Sequence, residues 1–323
     1  MNTKKLFCLL FLLHLLNNFN KISMEITLHL RILLTFFMLW LANFISVENQ
    51  QLIGFVGIAL LGIVHGANDL TIGQQLNEGI SKTWDLKLLM RYIAIVLLGM
   101  IVFTLLPIVG LLLFILISGY HFGNQHWTLE MPASVKGIWI LFQGSYGLLV
   151  LGILFCFHEK EVQAIIQTIT RHTYTDLIIQ KITLLFGVIV LLLGALLAKQ
   201  SNVFRTSIGR NLFYLGVFTI IFYHAGLIWG FSMYFVLWHS VPSIQEQIRF
   251  LYGKENARSW WYYFKSSALY WSLAVGTMVI AYWAIANDTV FKALFFSLMA
   301  AITFPHTIII AQMKRTMQKK SRT

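Results

Sequence analysis

Four histidines could do chemistry together. His65, His121, His239 and His306 each lie within a long apolar stretch of the chain. An ionisable side chain in such surroundings is costly, so by default it marks a functional site. The plain alternative for any one of them is a buried imidazole bonded to a neighbouring helix. Read as helices of alternating direction, the four stretches all run the same way, and all four histidines fall in the same half of the membrane. If those helices are neighbours, four imidazoles converge at one depth. Neutral imidazole is a ligand for iron, copper, zinc or nickel, whereas a charged ring at that depth is expensive. A shared metal is therefore the chemistry that such a cluster suits. His126, just beyond His121, is a weaker candidate. His224 falls near the opposite face, and His14, His158 and His172 read as interfacial and solvated.

The residues around the histidines allow close packing. In Gly62-Ile63-Val64-His65-Gly66-Ala67-Asn68-Asp69, the glycines let a second helix approach. Asp69 is four residues beyond His65, on the same helical face, where it could orient a ligand ring or simply be a solvated helix-end carboxylate. Gly119 and Gly123 flank His121 with the same spacing. Glu246 and Arg249 follow His239 and read as a structural ion pair.

The elements that must position these residues follow from composition. Of 323 residues, 58% are hydrophobic and 11% charged, with mean hydropathy +0.74. Soluble domains carry about 25% charged residues. This chain cannot cover itself in water, which excludes a soluble enzyme, a disordered protein and a nucleic-acid module. Ten stretches are long and apolar enough to be spanning helices: roughly 25–46, 52–70, 88–106, 107–122, 137–157, 176–198, 210–229, 230–250, 266–287 and 289–312. The fold class is an all-α polytopic transmembrane bundle of about ten spans. The short alternating segments of a β-barrel are absent. Cys8 and Cys156 form no framework.

Residues 1–23 form an ambiguous apolar segment, either an uncleaved interfacial piece or the product of an upstream start. Residues 24–313 form the transmembrane catalytic domain and 314–323 a basic cytoplasmic tail. With ten spans, 20 of the 24 Lys and Arg residues fall on the side of the N-terminus and 4 on the other. By the positive-inside rule both termini are cytoplasmic, in a multi-pass protein of the cell membrane. The net charge of +12 then reflects topology and anionic headgroups, and calls for no nucleic acid.

His65-Gly66-Ala67-Asn68-Asp69, His121-Phe122-Gly123, Tyr234-Phe235-Val236-Leu237-Trp238-His239-Ser240 and Pro305-His306 occur in that order. Together they resemble the Brp/Blh family of integral-membrane β-carotene 15,15′-dioxygenases, from about residue 50 to 312. The resemblance implies Fe2+- and O2-dependent cleavage of β-carotene at its central double bond to two retinals, within the lipid bilayer and with no obligate protein partner. It carries over His65, His121 and His239 as metal ligands. The family pattern places another histidine four residues after His239, and here that position is Ser243. A hydroxyl is a poor iron ligand, so either His306 completes a four-histidine set or the site is three histidines with water. Ser243 is then left beside the ligands, as Asp69 is. Pro305 could free the local backbone to aim His306.

A long apolar polyene needs an aromatic tunnel past the metal. Tyr120, Phe122, Trp127, Tyr234, Phe235 and Trp238 are candidates to line it, against a plain reading as lipid-facing or interfacial aromatics. No acid–base pair is needed and none is evident within the spans. The main competing function is a transporter or carrier for a metal ion or a retinoid, although no internal repeat is visible. A bis-histidine haem carrier is a further alternative. A membrane di-iron oxidase requires histidine boxes that this chain lacks.

Overall fold

The computed structural model describes residues 28–76, 86–173 and 177–320. The N-terminal segment 1–23 and the last three residues of the tail lie outside them. Among the described residues every regular element is a helix. They are α1 Leu28–Ala42, α2 Val47–Leu76, α3 Leu86–Leu105, α4 Pro107–His126, α5 Lys136–Phe157, α6 Glu159–Thr170, α7 Leu177–Gln200, α8 Asn202–His224, α9 Leu227–Tyr252, α10 Ala257–Ala284 and α11 Asp288–Lys320.

Each of the ten predicted stretches meets one helix. Among the described residues, eight helices are long and apolar enough to cross a membrane. Two of the ten fall short of that standard: α1 is a shorter apolar helix, and α8 carries Arg205, Ser207, Arg210 and Asn211 in its first half. The protein is a membrane-embedded helical bundle. One helix was not anticipated. Residues 159–170 fall between two of the ten stretches and form α6, whose apolar residues recur at Val162, Ile165, Ile166 and Ile169. That is the one-faced pattern of an amphipathic helix.

α2, α4, α9 and α11, the four histidine helices, adjoin one another in the interior. Glycines set several of the approaches. A Cβ on Gly54 would press on Ile228, and one on Gly62 would fall 2.7 Å from the Phe235 ring, so α2 lies close against α9. α4 and α5 touch backbone to backbone: a Cβ on Gly123 would collide with the Gln143 carbonyl, and one on Gly147 with the Gly119 carbonyl. This is helix association through small residues, with packing as its driving force.

The α4–α5 contact has no slack, because its neighbours are backbone atoms. Gly123→Ala is therefore expected to destabilise by at least the ~1–3 kcal/mol typical of overpacking. Gly137→Ala, on the same helix as Gly147 and facing open space, serves as the control. Thermal melts of the detergent-solubilised variants check this, and equal melting temperatures would refute the backbone contact.

Candidate metal centre

Two histidine helices change register at the site. In α2 the segment Ile58–Gly62 is π-helical, and the Ile63 N–H donates to the Ile58 carbonyl, five residues back. In α9 the segment Tyr234–Ser240 is π-helical, and the Val241 N–H donates to Val236. The two π segments face each other across the Gly62–Phe235 contact. Such bulges are rare and concentrate at functional sites, where they re-aim side chains. His65 follows the first and His239 lies within the second.

The four rings form a closed cycle. Centroid separations are 5.0 Å for His65–His239, 4.9 Å for His239–His121, 5.2 Å for His121–His306 and 4.8 Å for His306–His65, all edge to face. All four are buried. The ligand-capable nitrogens of His65, His121 and His239 lie within 4.8 Å of one another. His121 Nε2, His239 Nδ1 and His306 Nε2 have no hydrogen-bond partner. A few other buried polar atoms share that state, Trp229 Nε1 among them. The histidine nitrogens differ from these because their rings face one another.

Two rings are fixed from behind. His65 Nδ1 donates to the Gly62 carbonyl and His306 Nδ1 to Asp69 Oδ1, the latter at 2.8 Å. Each bond places a proton on Nδ1 and leaves Nε2 as a lone pair. The other Asp69 oxygen accepts from the Tyr92 hydroxyl at 3.0 Å. Asp69 is thus a buried carboxylate on a partner ring, though that ring is His306 on α11 and not the neighbouring His65. The backbone of His65 is also braced. Gln247 Nε2 donates to the His65 carbonyl at 2.9 Å and to Ser243 Oγ at 3.1 Å, while Tyr263 donates to Gln247 Oε1 at 2.7 Å. Ser243 therefore sits one contact away from His65. On α9, the His239 carbonyl accepts from Gln125 at 2.8 Å.

Several expectations need correction. Pro305 lies inside α11, which runs on through it as one helix. Arg249 pairs with Glu255 at 3.3 Å, and Glu246 lies 3.7 Å from Lys314. His158 is not a free solvated ring. It bonds the Phe222 carbonyl at 3.0 Å, and burial holds it below the usual imidazole range. His224 is exposed and away from the cycle. His126 bonds the Tyr234 hydroxyl at 3.1 Å and packs on Phe218, apart from the four.

An apolar cavity opens on the histidine cycle. All four histidines line it, together with Phe122, Phe235, Phe231, Phe114, Phe155 and Phe296 and aliphatic residues. Apart from the imidazoles, Ser118 and Thr303 supply its only polar side chains. Phe122 and Phe235 also pack edge and face on His239, at 4.6 and 5.2 Å. Tyr120, Trp127, Tyr234 and Trp238 do not border it. Tyr120 and Trp238 are one residue from a histidine, which turns them about 100° away on a helix. Tyr120 is more than a third exposed, Trp238 Nε1 donates to Thr35, and Trp127 stacks on Phe204. The sequence reading missed Gln125, Gln247, Tyr92 and Tyr263. For the two glutamines a signal existed, since amides inside spans need partners.

The chain was compared with known proteins. A family model described as beta-carotene 15,15′-dioxygenase matches residues 56–314, well over half of its length. The chain belongs to that family. No curated protein and no solved structure matches it. Membership makes it a carotenoid-cleaving dioxygenase, and the matched region contains all four histidines.

The nitrogens of His65, His121 and His239 converge closely enough to hold a metal ion, with the His306 ring beside them. Asp69→Asn is expected to weaken metal binding about 10- to 100-fold, as removal of such an orienting carboxylate typically does. His224→Ala should leave binding unchanged. Metal content after titration with a competing chelator reads both, and equal loss in the two variants would sink the assignment.

Proposed function

We propose that the protein cleaves β-carotene with O2 at the central 15,15′ double bond, giving two molecules of retinal, with Fe2+ held by His65, His121, His239 and His306. The observation that carries this reading is the cycle of four imidazoles at one end of an apolar cavity, in a chain of this family. His306 is the fourth ligand in place of the histidine that Ser243 replaces. Its Nε2 is buried and unpartnered, its ring closes the cycle, and Asp69 holds the proton on the other nitrogen. The reaction takes place in the cell membrane, with both termini cytoplasmic, where the lipid-soluble substrate is dissolved.

Iron supplies the redox chemistry that lets ground-state O2 react with a closed-shell polyene. The protein does the rest by placement. One C=C bond is exchanged for two C=O bonds, and each oxygen atom of O2 ends in one aldehyde. No net proton is taken up or lost, which agrees with a cavity that has no carboxylate or lysine in its lining. Phe122 and Phe235 pack beside His239 and hold apolar surface against the reacting region. The Gly62 carbonyl and Asp69 hold protons on Nδ1 of His65 and His306, so that both rings stay aimed. The aliphatic lining excludes water, which strengthens every electrostatic interaction inside.

Expression in β-carotene-producing bacteria tests the reaction class. Loss of orange colour with retinal appearing by chromatography is the expected result. Retained colour accompanied by saturable metal flux in proteoliposomes would support a carrier instead. In the same cells His306→Ala should abolish turnover and lower the iron content of the purified protein. Full iron content with lost activity would remove His306 from the ligand set.

A further inference from the structure

The cavity is one-armed. On α4 the lining runs from Leu111 past His121 to Phe122, and on α11 from Phe296 to His306, so that Leu111 lies farthest from His121 and Phe296 from His306. Each pair is ten residues apart, so the arm runs about 15 Å along the bundle from the histidines. At its far end lies α6, which packs against α4 and α11. The apolar face of α6, Val162, Ile165, Ile166 and Ile169, lines the cavity, and Val162 and Ile165 are buried there. Glu159, Lys160 and Glu161 open the same helix. This helix has 12 residues, too short to span, and its apolar face borders the cavity on the side away from the histidines.

The arm matches half of a symmetric polyene. Nine bonds separate an end ring from the central double bond, and at roughly 1.2 Å of advance per bond they cover about 11 Å, from ordinary carbon–carbon lengths. The ring adds about 4 Å by the same lengths, for a total of about 15 Å. A molecule pushed in until its ring meets α6 would therefore leave its central bond at the histidines.

Resting on the cleavage reading above, we propose that the apolar face of α6 is a stop that fixes which double bond is cut, with Ile165 and Ile169 as specificity-determining residues. Deepening the arm lets the inner half slide past the centre. A bond in the outer half then lies at the histidines, and the same exchange of one C=C for two C=O gives two unequal fragments. Shortening the arm keeps the inner half from seating.

Two experiments with the full chain test the stop. In membranes supplied with β-carotene, the wild type should give retinal alone. Ile165→Ala combined with Ile169→Ala should add an unequal pair of carbonyl products, one with more carbons than retinal and one with fewer. Retinal alone from the double variant, at wild-type iron content, overturns the proposal. The second experiment needs neither iron nor turnover. Chelator-treated protein is titrated with retinol and with the shorter isoprenoid alcohol farnesol, read by quenching of tryptophan fluorescence. Ile165→Phe should weaken retinol binding about tenfold or more, the scale on which a filled pocket discriminates by size, and leave farnesol unchanged. Equal weakening of both alcohols overturns the stop. If the wild type leaves β-carotene intact, the cleavage reading fails, and the alcohol pair alone decides whether α6 measures length.

Discussion

Lone pairs on buried imidazoles must find a partner, and the rest of the structure depends on how this chain meets that requirement. His121, His239 and His306 each present a buried nitrogen with no hydrogen-bond donor beside it. In an apolar bundle an unsatisfied polar group costs on the order of 1–3 kcal/mol, and three of them at one point would be a poor use of a core. A metal ion bound there would turn that cost into binding energy. The helices can then be understood by what they do to keep those nitrogens facing one another. Gly62 allows α2 against the Phe235 ring, the two π segments turn His65 and His239 inward, and Gln247 and Gln125 hold the carbonyls of the two histidines.

Much of this was legible because lipid imposes strong rules. A chain with so few charges had to be a helical bundle, and each apolar stretch overlies a helix, although some helix ends lie as many as nine residues from the stretch's ends. The histidines stood out because an apolar span gives a titratable side chain few reasons to be present. The shared direction of their helices placed them at one depth. That argument used only the sequence and alternation, and the structure brings those four rings together.

What stayed hidden is local and rotational. Tyr120 and Trp238 adjoin His121 and His239 in sequence, yet one helical step turns each away from the cavity. The π segments have no sequence signature, so the stacking of Phe235 on His239 is visible only in the structure. Asp69 was placed by its spacing from His65 on α2, but its partner lies on α11, a pairing that only the tertiary structure reveals. α6 was missed because its polar face dominated the reading of a short segment. Its apolar residues gain meaning only when a cavity is there for them to face.

In the site proposed above, a serine at position 243 changes what a metal would join together. With a second ligand at that position, two of four ligands would come from α9 and the metal would join three helices. Here His65, His121, His239 and His306 come one each from α2, α4, α9 and α11. Asp69 and Tyr92 tie α2, α11 and α3 behind the fourth ring. The proposed ligand set is spread over four helices and exists only when the bundle is assembled, so metal binding free energy would also be assembly free energy. The serine position meanwhile serves the same end by another route. Its hydroxyl holds Gln247, Gln247 holds the His65 carbonyl, and Tyr263 on α10 holds Gln247. The residue that cannot bind metal therefore helps to fix one that can, and it connects a fifth helix to the centre.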